Sequence, residues 1–371
     1  MWRRVFLSVM GVALLMACAG PSTQTPDLSP EEIAAEQARQ QYFQIQNFAA
    51  QATRLENVAF KITAANVGDC GGNIIPRLGF RALAQGDVSE AKRQITTAAL
   101  QLDAERPTVI SVVDGGPAAQ AGMLPGDVVQ RVDGRRAPKT GWPSWLNGHV
   151  KNVGSTRPMS IEVRRQGQTK MFAATPVFTC AIPISLEQDN DINAYTDSKK
   201  IVVFAGMMRV AQSDPELAVI VGHELAHVTM GHRRKREQNQ VVGAAAGFLA
   251  DVAAAAAGVD TRGAGMKDGA ALGLTAYAVD FEREADYVGA YYAARAGFDL
   301  SGERLWRAMA QENPKEIFFA GLHPTSPERF LQMQKTHAEI AEKIRLKQPL
   351  IPERKPVVVT QAPEAKDDNK D

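Results

Sequence analysis

The chain has little of several things that would otherwise place it quickly. It has three cysteines, six histidines and 6% aromatic residues in 371 positions. So few cysteines exclude a fold stapled mainly by disulfides, and 45% hydrophobic content is ample for an apolar core instead. Charge of one sign is also missing: the formal net charge is +1. A balanced chain lacks the basic field that a phosphate backbone calls for, which excludes nucleic acid as the main partner. Long apolar runs are absent too. Val5 to Met16 is too short to span a bilayer, and Asp251, Asp260, Arg262, Lys267 and Asp268 interrupt the Ala- and Gly-rich stretch from Val241 to Gly273. That stretch reads as a hairpin that lies over or beside a cleft, or as two ordinary packed helices. The length suits two folded domains plus tails.

The ends carry targeting information. Arg3 and Arg4 precede the apolar stretch, so residues 1–17 read as an export signal. Leu15-Met16-Ala17-Cys18 resembles a bacterial lipoprotein box, which implies cleavage before Cys18, lipid on its thiol and attachment of the protein to a membrane. The alternative is an ordinary signal with an incidental cysteine. Residues 18–29 form a linker rich in Pro, Ser, Thr and Gln. Ala19, rather than Asp, follows the cysteine; by resemblance to Gram-negative lipoproteins this implies a periplasm-facing protein at the outer membrane. Cys70 and Cys180 remain, and in an oxidising compartment they are expected to pair. Residues 351–371 are charged and poor in aromatics, and are expected to be disordered.

The most informative stretch is His223-Glu224-Leu225-Ala226-His227, inside an apolar helical run. Positions four apart share a helix face, so His223 and His227 can bind one ion together. Glu224 lies one position round, where its carboxylate can act on a water activated by the metal. Ser213-Asp214-Pro215-Glu216 reads as a capping box that launches this helix. The helix is expected to continue to Gly231-His232, with Arg233 to Arg236 as a solvated run. His232, five positions after His227, then falls on another face and reads as surface. Downstream, Glu282 and Asp286 are again four apart, giving Glu282 as the third ligand and Asp286 as the acceptor that orients a ligand imidazole. Glu284 reads as a surface acid.

Upstream, a helix starts at Ser29-Pro30-Glu31-Glu32 and is expected to run to near Asn57, with a second one through Ala64, so residues 30–75 read as N-terminal helices of the domain that carries the His223–His227 motif. A strand at Val109–Val113, a short helix at Pro117–Ala121, the Gly126-Asp127 turn and the Gly134 turn follow, with strands at Ser160–Arg164 and Lys170–Ala174. This string resembles the PDZ domain over residues 76–178. Leu78-Gly79-Phe80 resembles its carboxylate-binding loop, which would take C-terminal peptides. The helical Val88–Asp103 segment makes the spacing unusual, and plain core structure is the equal alternative for the tripeptide.

The region from Asn193 to Arg329 resembles the HtpX and CAAX-prenyl-protease type of zinc metallopeptidase, within the gluzincins. The resemblance rests on Asn193-Ala194-Tyr195, the strand Lys200–Phe204, His223-Glu224-Leu225-Ala226-His227, Glu282-x-x-Ala285-Asp286, Ala296-Gly297-Phe298-Asp299, and His323-Pro324 with Arg329. The closer likeness is to BepA-like exported forms with a PDZ module. One departure is that Ser198-Lys199-Lys200 stands where a Gly turn is usual. The resemblance implies an α+β architecture: a mainly helical zincin-type domain over residues 179–350 with a small edge-strand sheet, plus an inserted PDZ β-barrel-like domain. It implies one Zn²⁺ held by His223, His227 and Glu282, with Glu224 as general base. His323 would latch the metal or stabilise the oxyanion, or else serve a turn; Arg329 would stabilise charge in the site or anchor the last helix.

The reading is therefore an envelope zinc endopeptidase that hydrolyses unfolded or misassembled envelope proteins, held along the Lys200–Phe204 edge strand. The competing class is a proteolytically silent lipoprotein that works as a PDZ-mediated holdase scaffold.

Overall fold

The computed structural model describes residues 22–155, 157–300, 303–312 and 327–354. The expected signal (1–17), Cys18, His323 and the tail beyond 354 lie outside the described residues. Contacts divide the chain into two compact units, Met1–Gln44 and Ile45–Asp371. In the first, Ser29 and Glu32 close a capping box: the Ser29 amide donates to Glu32 Oε2 at 2.8 Å, and the Glu32 amide donates to Ser29 Oγ at 3.1 Å. The helix so started runs unbroken over Pro30–Ala65, where the sequence suggested a break near Asn57. Leu55, Val58, Ala59 and Ile62 explain the continuity, because one buried stripe passes through that point.

In the second unit, β1 (Ile74–Arg77) pairs antiparallel with β8 (Val177–Cys180), with Ile74 opposite Cys180. Cys70 and Cys180 form a disulfide across 110 residues, their Cα atoms 5.7 Å apart. Ribbon and disulfide together make a stem, and the chain between its strands folds as a separate module. There β2 (Phe80–Leu83), β3 (Thr108–Val112), β4 (Val128–Val132), β6 (Met159–Arg165) and β7 (Gln168–Ala174) lie in the order β2-β3-β4-β6-β7, and β5 (Arg135–Arg136) pairs with β4. Inward residues Val129, Ile161 and Val163 share its core with Leu78 and Phe80. Asp127 of the Gly-Asp turn is fully buried, where it accepts from the Leu124 amide at 2.9 Å and from Arg165 Nη2 at 2.7 Å. The sequence reading missed the helix Trp142–Val153, although its buried Trp142, Leu146 and Val150 repeat every four residues.

The other module holds a three-stranded sheet, β9 (Ile184–Glu187), β10 (Ala194–Thr196) and β11 (Ile201–Phe204), in the order β10-β11-β9. The strand expected at the edge, Lys200–Phe204, is therefore central. β11 runs antiparallel to β10 and parallel to β9, and Ile201, Val202 and Val203 are all buried, as a strand covered on both faces requires. β9 had gone unrecognised, and it fills the side that looked open. The turn between β10 and β11 forms without glycine. Ser198 takes φ +69°, and Asp197 Oδ1 accepts from the Lys199 and Lys200 amides at 2.8 and 2.9 Å.

Two helices then cross to build the site. The motif helix Asp214–Thr229 starts on the expected capping box, with Ser213 and Glu216 bonded both ways. It is buried continuously from Glu216 to His227. The acidic helix Ala278–Arg295 crosses it at two glycines. A Cβ on Gly222 would lie 2.5 Å from the Gly289 carbonyl oxygen, and one on Gly289 would lie 2.7 Å from the His223 nitrogen. The side chains of His223 and Glu282 can face one another because these backbones touch.

Between those helices stands a hairpin of helices His232–Ala256 and Ala264–Thr275. Its seam is glycine against glycine; a Cβ on Gly247 would fall 1.9 Å from the Gly265 carbonyl oxygen, and one on Gly243 would fall 2.1 Å from that of Gly269. Val241, Val242, Leu249 and Leu272 are exposed on its outside. By length and composition its first helix is long and apolar enough to cross a membrane, although the charges had argued against any such span in the sequence. Its second helix has 12 residues, short of the ~20 a span needs. The helix Pro327–Arg345 packs on the acidic helix, and the residues that follow it return to the same helix. The Glu353 amide donates to Tyr287 Oη at 3.0 Å and Lys343 Nζ pairs with Glu353 at 2.7 Å.

Candidate metal centre

His223 and His227 project from one face of the motif helix, and their Nε2 atoms are 3.0 Å apart. Glu282 of the acidic helix completes the group, with Oε2 3.3 Å from His223 Nε2 and Oε1 3.4 Å from His227 Nε2. One ligand atom from each of the three lies within 4.8 Å of the others, and all three residues are buried. Two imidazoles and one carboxylate are a donor set that suits zinc and leaves room for water. The charges point the same way, since Glu224, Glu282 and Asp286 are buried together and a cation there would offset carboxylates that Arg329 and Arg236 only partly balance.

Each ligand is held from behind. His223 Nδ1 lies 2.9 Å from Asp286 Oδ1. Asp286 in turn accepts both arms of Arg329, Nε at 2.7 Å and Nη2 at 2.8 Å. Burial pushes the Asp286 carboxyl up, but the Arg329 guanidinium overcomes that and holds it below the ordinary carboxylate range. Burial likewise opposes charge on His223, yet Asp286 and Glu282 raise its pKa to about 10 when a proton rather than a cation sits there. Arg329 is 1% exposed, and its fork is taken up by Asp286, with Nη1 3.6 Å from Glu282 Oε2. The same fork ties the helix Pro327–Arg345 to Asp286, so this contact is compatible with both roles open in the sequence. Arg236 Nη2 also lies 3.2 Å from Glu282 Oε1.

Two sequence assignments are corrected here. His232 is not surface: it is 1% exposed, and its Nδ1 is 2.8 Å from His227 Nδ1. The motif helix does not reach it. The helix ends at Thr229, Gly231 takes φ +65°, and a new helix begins at His232, so counting five positions along one helix gave the wrong face. Glu284 is not a plain surface acid, for its Oε2 is 2.8 Å from His232 Nε2 and 3.4 Å from Lys235 Nζ. The His232 bond comes first among the causes that lower the Glu284 pKa to about 2. Glycine two residues after the helix's last turn was the signal that could have placed His232.

Leu78, Gly79 and Phe80 stand apart from this centre. Leu78 and Phe80 are buried in the module core, yet with Gly79 they also line a cavity of about 770 Å³. Trp142, Leu146 and Val150 line the same cavity, as do Phe48, Ala52 and Phe60 of the long helix Pro30–Ala65.

Residues 172–337 match Peptidase family M48, and residues 76–175 match the PDZ domain. The chain is 28% identical over 158 residues to the beta-barrel assembly-enhancing protease of Escherichia coli (strain K12), covering 39% of this chain and 32% of that one. It is 29% identical over 140 residues to the mitochondrial metalloendopeptidase OMA1 of Schizosaccharomyces pombe (strain 972), covering 36% and 40%. The chain thus spans less than half the length of these curated relatives. Among solved structures, the HtrA-type protease AlgW with a decapeptide matches at 28% identity and a TM-score of 0.23, over 28% of this chain and 30% of that one. Residues 172–337 are accordingly similar to peptidase family M48, and residues 76–175, which precede them, to the PDZ domain.

Proposed function

We propose that the protein is a zinc-dependent endopeptidase of the bacterial cell envelope. The observation that carries the reading is the buried His223, His227 and Glu282 group with Glu224 one residue from the first ligand. A zinc ion held there would supply Lewis acidity to a peptide carbonyl and make water acidic near neutral pH. The chain's own residues do the rest. Glu224 takes the proton from the attacking water and returns it to the leaving amine. Asp286 keeps His223 in the tautomer that offers Nε2 forward, and Arg329 keeps Asp286 ionised and in place. An extended substrate would pair with β10 rather than β11, because β10 is an edge strand and packs against the motif helix.

The cavity lined by Leu78-Gly79-Phe80 would hold the C-terminal peptide of a client, and unfolded or misassembled envelope proteins are the clients proposed. Export and lipidation at Cys18, with outer-membrane anchoring, belong to the same proposal and rest on the Leu15–Cys18 resemblance. Cleavage of an unfolded envelope protein by the signal-free form tests it. Activity should vanish on chelation and return with one zinc per chain. A zinc-loaded protein that cuts neither casein nor unfolded envelope proteins contradicts it and leaves the holdase reading.

A further inference from the structure

The two histidines of the triad are backed by carboxylates of the same helix, but over different distances. His223 meets Asp286 directly, whereas His227 turns its Nδ1 to His232, 2.8 Å away, and His232 turns its Nε2 to Glu284, also 2.8 Å away. We propose that His232 and Glu284 are positioning residues for the metal ligand His227, forming a two-member relay that fixes its tautomer and ring orientation. The inference rests on the metallopeptidase reading above and adds residues to which that reading gives no part.

Ligation through His227 Nε2 would select one arrangement of these hydrogen bonds. Two Nδ1 atoms at 2.8 Å need one hydrogen between them. With Nε2 of His227 given to a metal ion in the triad, its hydrogen would sit on Nδ1 and be donated to His232. His232 Nδ1 therefore accepts, its own hydrogen sits on Nε2, and the Glu284 carboxylate receives it. The ring is fixed as well. His232 is 1% exposed and stacks on Phe281 with ring centroids 4.8 Å apart and planes at 24°. His232 is no fourth ligand, since it meets the opposite nitrogen of His227 from the one in the triad. Glu284 comes from the helix that supplies Glu282 and Asp286, so one helix provides a ligand and both outer acceptors.

The test is the zinc dissociation constant, read by competition with a chromophoric chelator, beside the melting temperature of the metal-free protein. His232→Phe keeps the stack but removes the acceptor. It should weaken zinc on the order of 10- to 100-fold while leaving the metal-free melt unchanged. His232→Gln, whose Oε1 can accept from His227 Nδ1–H, should restore most of that loss. Wild-type affinity in His232→Phe overturns the inference. So does an equal loss in both variants alongside a lowered metal-free melt, which would show a packing role alone. If neither folds, Glu284→Leu decides, because that side chain is 42% exposed and tolerates change. Weakened zinc there supports the relay, and unchanged zinc overturns it. A wild-type protein that binds no zinc would instead bring down the metallopeptidase reading, a separate result.

Discussion

His223 shows how a single side chain couples metal, proton and stability. In the metal-free protein its pKa is raised to about 10, against an ordinary value near 6.5. A raised imidazole pKa contributes stability that is fully present below about pH 6.5 and is lost as pH climbs through about 10. Metal-free protein should therefore melt at a lower temperature at pH 9.5 than at pH 6.5, and zinc-loaded protein should show less of that fall. Over the same window zinc must displace the proton, so calorimetry in buffers of different ionisation heat should detect about one proton released per zinc near pH 8. Absence of proton release would contradict the geometry. Asp286→Asn keeps the shape but removes the charge that pairs with His223 and Arg329; zinc affinity should drop about 10- to 100-fold, as seen by chelator competition. At this scale much was legible. His223, Glu224, His227, Glu282 and Asp286 follow from four-residue spacing and ligand chemistry alone. His232 was not, because a helix break rather than a periodicity decides where it points.

At the scale of elements, the site depends on how two helices start and cross. The capping box Ser213–Glu216 satisfies orphan amides at the start of the motif helix. Ser213→Ala should cost about 1 kcal/mol in chemical denaturation with the zinc site intact. Gly289 is more demanding, since any Cβ there meets the backbone of His223. Gly289→Ala should force the helices apart, shift His223 from Glu282 and weaken zinc together with stability; tight zinc in a stable Gly289→Ala protein would show that the crossing has slack. Gly222 and Gly289 looked unremarkable in sequence, because close approach between distant segments leaves no local pattern. The same limit hid the sheet order. Hydrophobicity marked β11 as a strand, while the neighbour that made it central, β9, alternates as Ile184-Ser185-Leu186-Glu187 over only four half-exposed residues, too few to mark a strand in the sequence.

At the scale of the whole molecule, the PDZ-like module is joined through a stem formed by β1, β8 and the Cys70–Cys180 disulfide. Even cysteine count and export reasoning anticipated the pair; that it clamps both ends of an insertion became visible only with the fold. Closing a loop of this length is worth about 4–5 kcal/mol in the chain-entropy model. Cys70→Ser with Cys180→Ser should therefore lower the melting temperature, yet leave zinc affinity close to wild type, because the triad lies outside the stem. A loss of zinc on cutting this bridge would mean that the two domains share one cooperative core.

The central claim is that Glu224 moves the proton in a metal-dependent peptide hydrolysis. The most direct measurement compares wild type with Glu224→Gln for zinc content and for cleavage of an unfolded protein. The account predicts equal zinc, about one ion per chain, with cleavage reduced by about 10²- to 10⁴-fold in the variant. A Glu224→Gln protein that holds zinc and cuts at the wild-type rate would contradict it.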